Sequence, residues 1–153
     1  MERVRNAELA DVKRLSQIMV QSFRSAFSGF ISRETMMACT NEENCRALLE
    51  GIYREGKMHF LMGDGSGMLV WQQTEEGAEI VAIHSLPESW GTGLGHEMLR
   101  CALEQIGNQR VFLWAFQENR RARRFYEKHG FCWDGSQRVS EFDGALEVRY
   151  VKE

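Results

Sequence analysis

Three glycines alternate in the segment Gly91-Thr92-Gly93-Leu94-Gly95, which joins a predicted strand to a predicted helix. Glycine has no Cβ to hold a ligand away from the main chain, and the first amides of a helix lie unpaired at the positive end of its dipole. The segment can therefore bind a diphosphate. A flexible loop before a glycine-rich helix is the alternative interpretation. A P-loop is disfavoured because no G-K-[ST] follows, and a Rossmann site because the preceding strands are antiparallel.

A second segment begins at Asn119, continues through four arginines and Tyr126, and closes at Gly130-Phe131. The guanidiniums either form a solvated helix face, or one or two of them reach the phosphates of an anionic ligand. A tyrosine on an amphipathic helix usually packs in the core, but its phenol can also donate a proton as a general acid. Asn119 by itself is typical of a helix N-cap.

The elements that must position these residues follow from hydrophobic spacing along the chain. A glycine-rich turn joins two of the strands as a hairpin, and Asn41 is placed to cap the second half of a helix broken near Thr40. We predict strands at 3–6, 60–62, 68–72, 78–86, 110–116, 131–133 and 147–152. We predict helices at 9–26, 34–55, 91–107 (beginning as a loop) and 120–129. The class is α+β, with one mixed sheet in a single domain over residues 1–153.

Composition narrows the function classes. The chain has 153 residues, of which 43% are hydrophobic and 27% charged, so it is neither disordered nor fibrous. Its formal charge of -3 disfavours nucleic acid and anionic membranes as partners. The longest apolar run, Val111–Phe116, is too short to span a membrane, and the N-terminus lacks a secretory segment, so we expect a cytoplasmic protein. The four cysteines form no C-x-x-C pair, so we expect reduced thiols and no metal site.

The two segments together resemble the GNAT superfamily of acyl-CoA-dependent N-acetyltransferases. The family's cofactor motif has arginine or glutamine, two residues, glycine, one residue, then glycine or alanine, and it falls here on Trp90, Gly93 and Gly95. The run from Asn119 to Phe131 is similar to a later helix of the family. The resemblance implies a mixed, mostly antiparallel sheet of about seven strands flanked by about four helices. It also implies acetyl-CoA as cosubstrate and a tendency to form homodimers.

The resemblance assigns roles to individual residues. Tyr126 is the expected general acid for the departing CoA thiolate. The expected cofactor-binding residues are Ile83, His84, Ser85, Gly91, Thr92, Gly93, Leu94, Gly95, His96, Asn119 and Tyr126. The chain departs from the family pattern at two positions. Trp90 stands where the cofactor motif usually has arginine or glutamine. Trp114 stands where some relatives that acetylate protein N-termini have glutamate.

The expected reaction is direct attack of a primary amine, on a small molecule or an exposed amino group, in a ternary complex. The amine must be neutral to attack, since an ammonium group has no lone pair. Glu79, His84 or a water could accept its proton, although both side chains also have purely structural interpretations. One alternative is a non-catalytic CoA-binding sensor or interaction module on the same fold. Another is a covalent acyl-cysteine route through Cys101 or Cys132.

Overall fold

The computed structural model describes residues 3–153, and these form seven strands and five α-helices. The strands are β1 (Val4–Asn6), β2 (Met58–Gly63), β3 (Gly67–Thr74), β4 (Gly77–Ser85), β5 (Val111–Phe116), β6 (Cys132–Val139) and β7 (Leu146–Lys152). The helices are α1 (Val12–Phe27), α2 (Arg33–Cys39), α3 (Glu42–Glu55), α4 (Leu94–Ile106) and α5 (Arg120–Lys128).

One sheet holds all seven strands in the order β1-β2-β3-β4-β5-β7-β6. Every neighbouring pair is antiparallel except β4 and β5, which are parallel. The α+β class with a mixed, mostly antiparallel sheet is therefore confirmed. The structure has one helix more than the four expected because the segment 34–55 divides at Thr40. The Asn41 side chain accepts the Asn44 N–H and starts α3, as its position predicts.

The two central parallel strands separate partway along their length. β4 pairs with β5 only from Ala78 to Ile80, although β4 continues to Ser85 and β5 to Phe116. A β-bulge coincides with the end of this pairing. Trp71 of β3 lies opposite Ile80 and Val70 lies opposite Ala82, so Val81 is the extra residue. A gap consequently opens between β4 and β5 toward their C-terminal ends.

Each face of the sheet carries its own hydrophobic cluster. On one face, here called the α4 face, Leu94 and Met98 of α4 pack with Tyr126 of α5 against the strands. On the other, the α1 face, Leu15 and Ile18 of α1 pack with residues from β2 and β3. The amphipathic pattern of α1 and α4 that predicted these helices thus selects which side each helix buries. The gap between β4 and β5 lies between the two layers.

The edge strand β6 is longer than predicted, since it extends from Cys132 to Val139 and not only over 131–133. Most of its residues are exposed, so its sequence carries little hydrophobic alternation. It is nevertheless held by β7, with an irregularity between Trp133 and Gln137. The pairing partner, and not the strand's own composition, determines where β6 ends.

Three further observations concern the part of the chain that is described. No helix there is long and apolar enough to cross a membrane. No three His, Cys, Asp or Glu side chains come together as metal ligands within residues 3–153. No disulfide joins any of the four cysteines.

Candidate active site

The main chain of β4 beyond the bulge faces the gap at alternate residues. The Leu86 N–H donates to the Ser66 carbonyl in the direction of β3. Because neighbouring residues of a strand point their polar groups to opposite sides, Ser85 and Ile83 face the gap. The indole N–H of Trp90 donates to the Ser85 carbonyl at 3.1 Å, which agrees with this direction. By the same alternation, the main chain of His84 faces β3.

The bulge is what produces this arrangement. The Ala78 N–H donates to the Arg110 carbonyl, so before the bulge the even-numbered residues face β5. After the bulge at Val81, the even-numbered Leu86 faces β3 instead. The extra residue reverses which residues of β4 face β3 and which face β5. The main-chain groups of Ile83 and Ser85 therefore face the gap, where β5 no longer pairs with β4.

The glycine loop lies directly after β4. Gly91 and Gly93 have φ values of 78° and 85°, in the left-handed region that favours glycine. Gly93 is the N-cap of α4 and supplies no capping side chain, so the amides of the first turn are open to a ligand. Gly95 has a different role: a Cβ there would lie 3.3 Å from the Phe125 ring. Its absence lets α4 approach α5.

Neighbouring side chains hold the glycine loop in place. Arg3 forms an ion pair with Asp64 at 2.8 Å and donates to the Thr92 carbonyl at 3.3 Å. The Thr92 hydroxyl donates to the Ser89 carbonyl at 2.5 Å. Leu94, the first residue of α4, is 1% exposed and anchors the loop in the core. The loop is therefore fixed at both ends. The Thr92 N–H also donates to the Ser89 carbonyl at 3.3 Å, so the amides left for a ligand are those of Gly91, Gly93 and the first turn of α4.

Two histidines lie together beside the start of α4. His96 Nδ1 is 2.8 Å from His129 Nε2, and His129 Nδ1 is 2.8 Å from the Phe125 carbonyl. A neutral His129 must donate from Nδ1 to that carbonyl, so its Nε2 accepts from His96. The predicted cofactor residue His96 is thus oriented by α5, with its Nε2 left available.

The arginines of α5 have separate environments. Asn119 caps the helix by accepting the Ala122 N–H at 3.2 Å, as predicted. Arg123 donates to the Tyr150 hydroxyl and to the Gln117 carbonyl, so it fastens α5 to the sheet. Arg121 lies over the Trp90 ring, with its Cζ atom 3.8 Å from the ring centroid.

Tyr126 is 6% exposed and belongs to the cluster on the α4 face, which Ile83 also contacts. Its hydroxyl has no hydrogen-bond partner among residues 3–153. Burial raises the pKa of this phenol above its usual value. The side chain therefore stays protonated and carries an unused donor on the face of the sheet where the Ile83 side chain also lies.

The two candidate bases, His84 and Glu79, lie in different parts of β4. His84 has its side chain on the α1 face, where Nδ1 lies 3.2 Å from the Ser22 hydroxyl. Burial lowers the pKa of His84 from 6.5 to about 4, so the imidazole is neutral at pH 7. Glu79 lies in the paired part of β4, opposite Phe112, and accepts from the Gln72 amide at 3.0 Å. Of the two, only His84 lies on the part of β4 that borders the gap.

A pocket of about 250 Å³ opens at the C-terminal end of β5. Its lining residues are Phe30, Phe116, Gln117, Glu118, Asp143, Gly144, Ala145 and Leu146. The Asp143 carboxylate accepts the Ser32 N–H at 2.6 Å and the Thr35 hydroxyl. These contacts join the β6–β7 turn to the start of α2 and hold two walls of the pocket together.

Sequence reasoning missed this pocket. Neither Phe30 nor the polar residues Gln117, Glu118 and Asp143 belong to a motif that marks them as pocket residues. Trp114 also makes a contact that was not predicted. Its ring lies under the Arg138 guanidinium, whose Cζ atom is 4.2 Å from the ring centroid. No local pattern predicts either contact, because both join segments that are distant in sequence.

The fold and its sequence pattern match known proteins. The model of the acetyltransferase (GNAT) family matches residues 13–131. Among solved structures, the chain is similar to the PaiA N-acetyltransferase of Thermoplasma acidophilum in complex with coenzyme A. That similarity has 20% identity and a TM-score of 0.83, and covers 100% of this chain and 99% of the other. No curated protein sequence matches this chain.

Two further structures have the same fold. The ribosomal-protein-alanine N-acetyltransferase of Brucella melitensis is 19% identical with a TM-score of 0.73, and the alignment covers 97% of this chain and 98% of the other. A GNAT acetyltransferase of Bacillus cereus is 17% identical with a TM-score of 0.73, covering 100% and 97%. At these identities the likeness establishes the fold, and the acceptor has to be inferred from this chain's own residues.

Proposed function

The chain belongs to the GNAT acetyltransferase family, and from this premise we propose that it transfers an acetyl group from acetyl-CoA to a primary amine. The acceptor is a small molecule or an exposed amino group, and it attacks directly in a ternary complex. The observation that carries the proposal is the gap between β4 and β5, bordered by the main chain of Ile83 and Ser85 and continued by the loop from Gly91 to His96.

Acetyl-CoA is the cosubstrate, and this chain offers it two kinds of main-chain contact. The pantetheine arm can pair with Ile83 and Ser85 as an added strand would, since the bulge leaves these groups without a partner on β5. The diphosphate can accept from the amides of Gly91, Gly93 and the first turn of α4. Asn119 and His96 lie at the two helix starts that border this path.

The chemical step forms a C–N bond and breaks the C–S bond of the thioester. A gap-facing N–H on β4 is placed to donate to the carbonyl oxygen as negative charge develops there. Such a fixed donor stabilises the transition state, because it needs no reorganisation during the reaction. Ile83 is our candidate for this role, since its N–H faces the gap just beyond the bulge.

Tyr126 is our candidate general acid. Its hydroxyl is unpaired within the described residues, it lies on the α4 face, and its raised pKa keeps it protonated at neutral pH. As the C–S bond breaks, the phenol proton can pass to the CoA sulfur. The burial that keeps the proton in place also prevents Tyr126 from competing as a charged phenolate for the amine.

The proton of the attacking amine leaves on the other face of the sheet. His84 is neutral there and can accept a hydrogen bond from the amine or from a water. With a pKa of about 4 it does not hold a proton at pH 7, so we propose that it orients a water that carries the proton to solvent. Glu79 is set aside because it lies in the paired part of β4.

The covalent route through a cysteine has no support from the geometry. Cys132 is exposed on the edge strand β6, opposite Val151, which in turn lies opposite Phe112 of β5. That level of the sheet is the closed end of β4 and β5. Cys101 lies about two turns beyond the start of α4. Neither thiol borders the gap in which the thioester would lie.

A non-catalytic CoA-binding module remains the second candidate, favoured by Trp90 at the motif's first position and by the weakly basic His84. Release of free CoA thiol from acetyl-CoA, measured with polyamines, amino acids, aminoglycosides and peptides, separates the two. If the protein is an enzyme, we expect amine-dependent release of the CoA thiol that falls sharply in Tyr126→Phe. Calorimetric binding of CoA without release for any amine would support the binding module. Absence of both binding and release would contradict both proposals.

A further inference from the structure

We propose that Arg121, positioned by Trp90, supplies the side-chain cation that binds the diphosphate of CoA. The inference rests on the proposed binding mode, and it assigns a role to a residue on α5 that lies outside the glycine loop. Trp90 then acts as a positioning residue, because its ring holds Arg121 beside the phosphates without itself contacting them.

Trp90 has a fixed orientation. Its indole N–H donates to the Ser85 carbonyl at 3.1 Å, which ties the ring to the end of β4. The residue immediately precedes Gly91, so the ring stands at the entrance of the glycine loop. A tryptophan has no cationic group, and this position therefore provides a flat surface beside the phosphate-binding amides.

Arg121 uses that surface. Its Cζ atom lies 3.8 Å from the centroid of the Trp90 ring, well within the range of a cation–π contact. Partial burial lowers the pKa of Arg121 from its usual value. A guanidinium starts from a pKa far above 7, so Arg121 remains charged at neutral pH. A stacked guanidinium directs its N–H groups outward in its own plane, which is the geometry that binds phosphate oxygens in pairs.

The Arg121 guanidinium also has no charged partner beside the glycine loop in the described part of the chain. Among residues 3–153 it has neither an ion pair nor a hydrogen bond, whereas Arg3, on the other side of the loop, is neutralised by Asp64. Arg123 donates to Tyr150 and Gln117. A chain of net charge -3 needs a local cation to offset the charge of a diphosphate, and Arg121 has both the position and the free donors.

The test is calorimetric titration of CoA into Arg121→Gln, with Arg124→Gln as the matched control. Arg124 lies one turn along the same helix and is exposed, and it makes no side-chain hydrogen bond or ion pair within the described residues. Both variants therefore lose the same charge. We expect Arg121→Gln to raise the CoA dissociation constant about tenfold, the loss of one charge-assisted contact, and Arg124→Gln to change it less than twofold. Equal effects in the two variants would overturn the proposal.

Dephospho-CoA identifies the phosphate group. It keeps the diphosphate but lacks the ribose 3′-phosphate, so the same factor of about ten is expected between wild type and Arg121→Gln. If the factor disappeared with dephospho-CoA, Arg121 would bind the 3′-phosphate and the assignment to the diphosphate would be wrong. Wild-type protein that failed to bind CoA at all would instead contradict the proposed function, so the two failures are distinguishable.

A double-mutant cycle tests the positioning role of Trp90. Trp90→Leu removes the aromatic face, and we expect it to weaken CoA binding nearly as much as Arg121→Gln. Because both act through one contact, the double variant should bind no more weakly than Arg121→Gln alone. Additive losses would overturn the positioning role. If Trp90→Leu does not fold, Trp90→Phe keeps a smaller ring without the indole N–H, and an affinity between those of wild type and Arg121→Gln is expected.

Discussion

The two sides of the gap between β4 and β5 are built on different principles. In our proposal the cosubstrate side consists of the main chain at Ile83 and Ser85, the loop from Gly91 to His96, and the start of α5. We propose that the acceptor side consists of the side chains around the pocket at Phe116, which come from the α1–α2 connection, the end of β5 and the β6–β7 turn. The first side is mostly backbone between residues 83 and 96, with α5 added from further along the chain. The second side is made of side chains from segments that are distant in sequence.

This difference explains why the family can be assigned and the acceptor cannot. Backbone amides at a helix start bind a diphosphate whatever side chains surround them, so the cosubstrate site survives extensive sequence change. Side chains such as Phe30, Glu118 and Asp143 set the shape and charge of the pocket at Phe116, which we propose receives the acceptor. Identities of 17–20% with solved structures are therefore compatible with one cosubstrate and many acceptors.

The largest effect is expected at Tyr126, our candidate general acid, because the chemical step involves both the cosubstrate and the acceptor. Tyr126→Phe removes the phenol proton but keeps the ring, so we expect kcat to fall about 100-fold, within the range for a general acid. The CoA dissociation constant, measured by calorimetry, should change less than twofold. Tyr53→Phe, which alters a hydroxyl bonded to the Ala7 carbonyl far from the gap, is the control. A rate equal to that of the control would remove Tyr126 from the mechanism.

The glycine loop provides a sharper probe of the cosubstrate side. Gly93→Ala places a Cβ on a residue with φ of 85°, which costs about 1 kcal/mol of stability and displaces the first amides of α4. We expect CoA to bind about tenfold more weakly. Gly56→Ala is a matched control, since Gly56 has φ of 78° with open space around its Cβ position at the end of α3. It should lose similar stability in urea unfolding and keep its CoA affinity.

On the acceptor side, Asp143→Ala breaks the contacts with Ser32 and Thr35 that join two walls of the pocket. We expect the KM of the best amine found in the panel to rise about threefold, because the two lost hydrogen bonds position the pocket walls and do not contact the amine itself. The CoA dissociation constant should be unaffected. Asp134→Ala removes an acid of β6 that bonds Arg149, and it controls for charge and edge-strand stability. A change in CoA affinity without a change in amine KM would contradict the division into two sides.

The last prediction concerns stability and not activity: it is a pH dependence that comes from His84. Its pKa is lowered from 6.5 to about 4 in the folded protein, so the unfolded chain binds a proton first as the pH falls. Stability is therefore complete above pH 6.5 and is lost progressively toward pH 4, by about 2 kcal/mol at pH 5. Urea unfolding at pH 8 and pH 5 measures this loss, and His84→Gln should reduce it. An identical pH dependence in His84→Gln would show that the imidazole is not buried in its neutral form.

Much of the fold was predictable from spacing alone. The helices α1, α4 and α5 carry clear amphipathic patterns, and the break at Thr40 with Asn41 as the next cap was predicted from residue types. Two features were not. The strand β6 is mostly exposed and lacks alternation, and the bulge at Val81 depends on the register with β3, which no residue within β4 specifies.

The sequence by itself indicated the family and its cosubstrate, because left-handed glycines, a helix start and an N-cap are set by residues only a few positions apart. The tertiary structure alone decided which face His84 and Tyr126 occupy, which arginine of α5 meets Trp90, and which side chains line the pocket at Phe116. These outcomes depend on packing between segments separated by tens of residues. Such contacts leave no local periodicity in the chain, and they become visible only when the sheet and its helices are assembled.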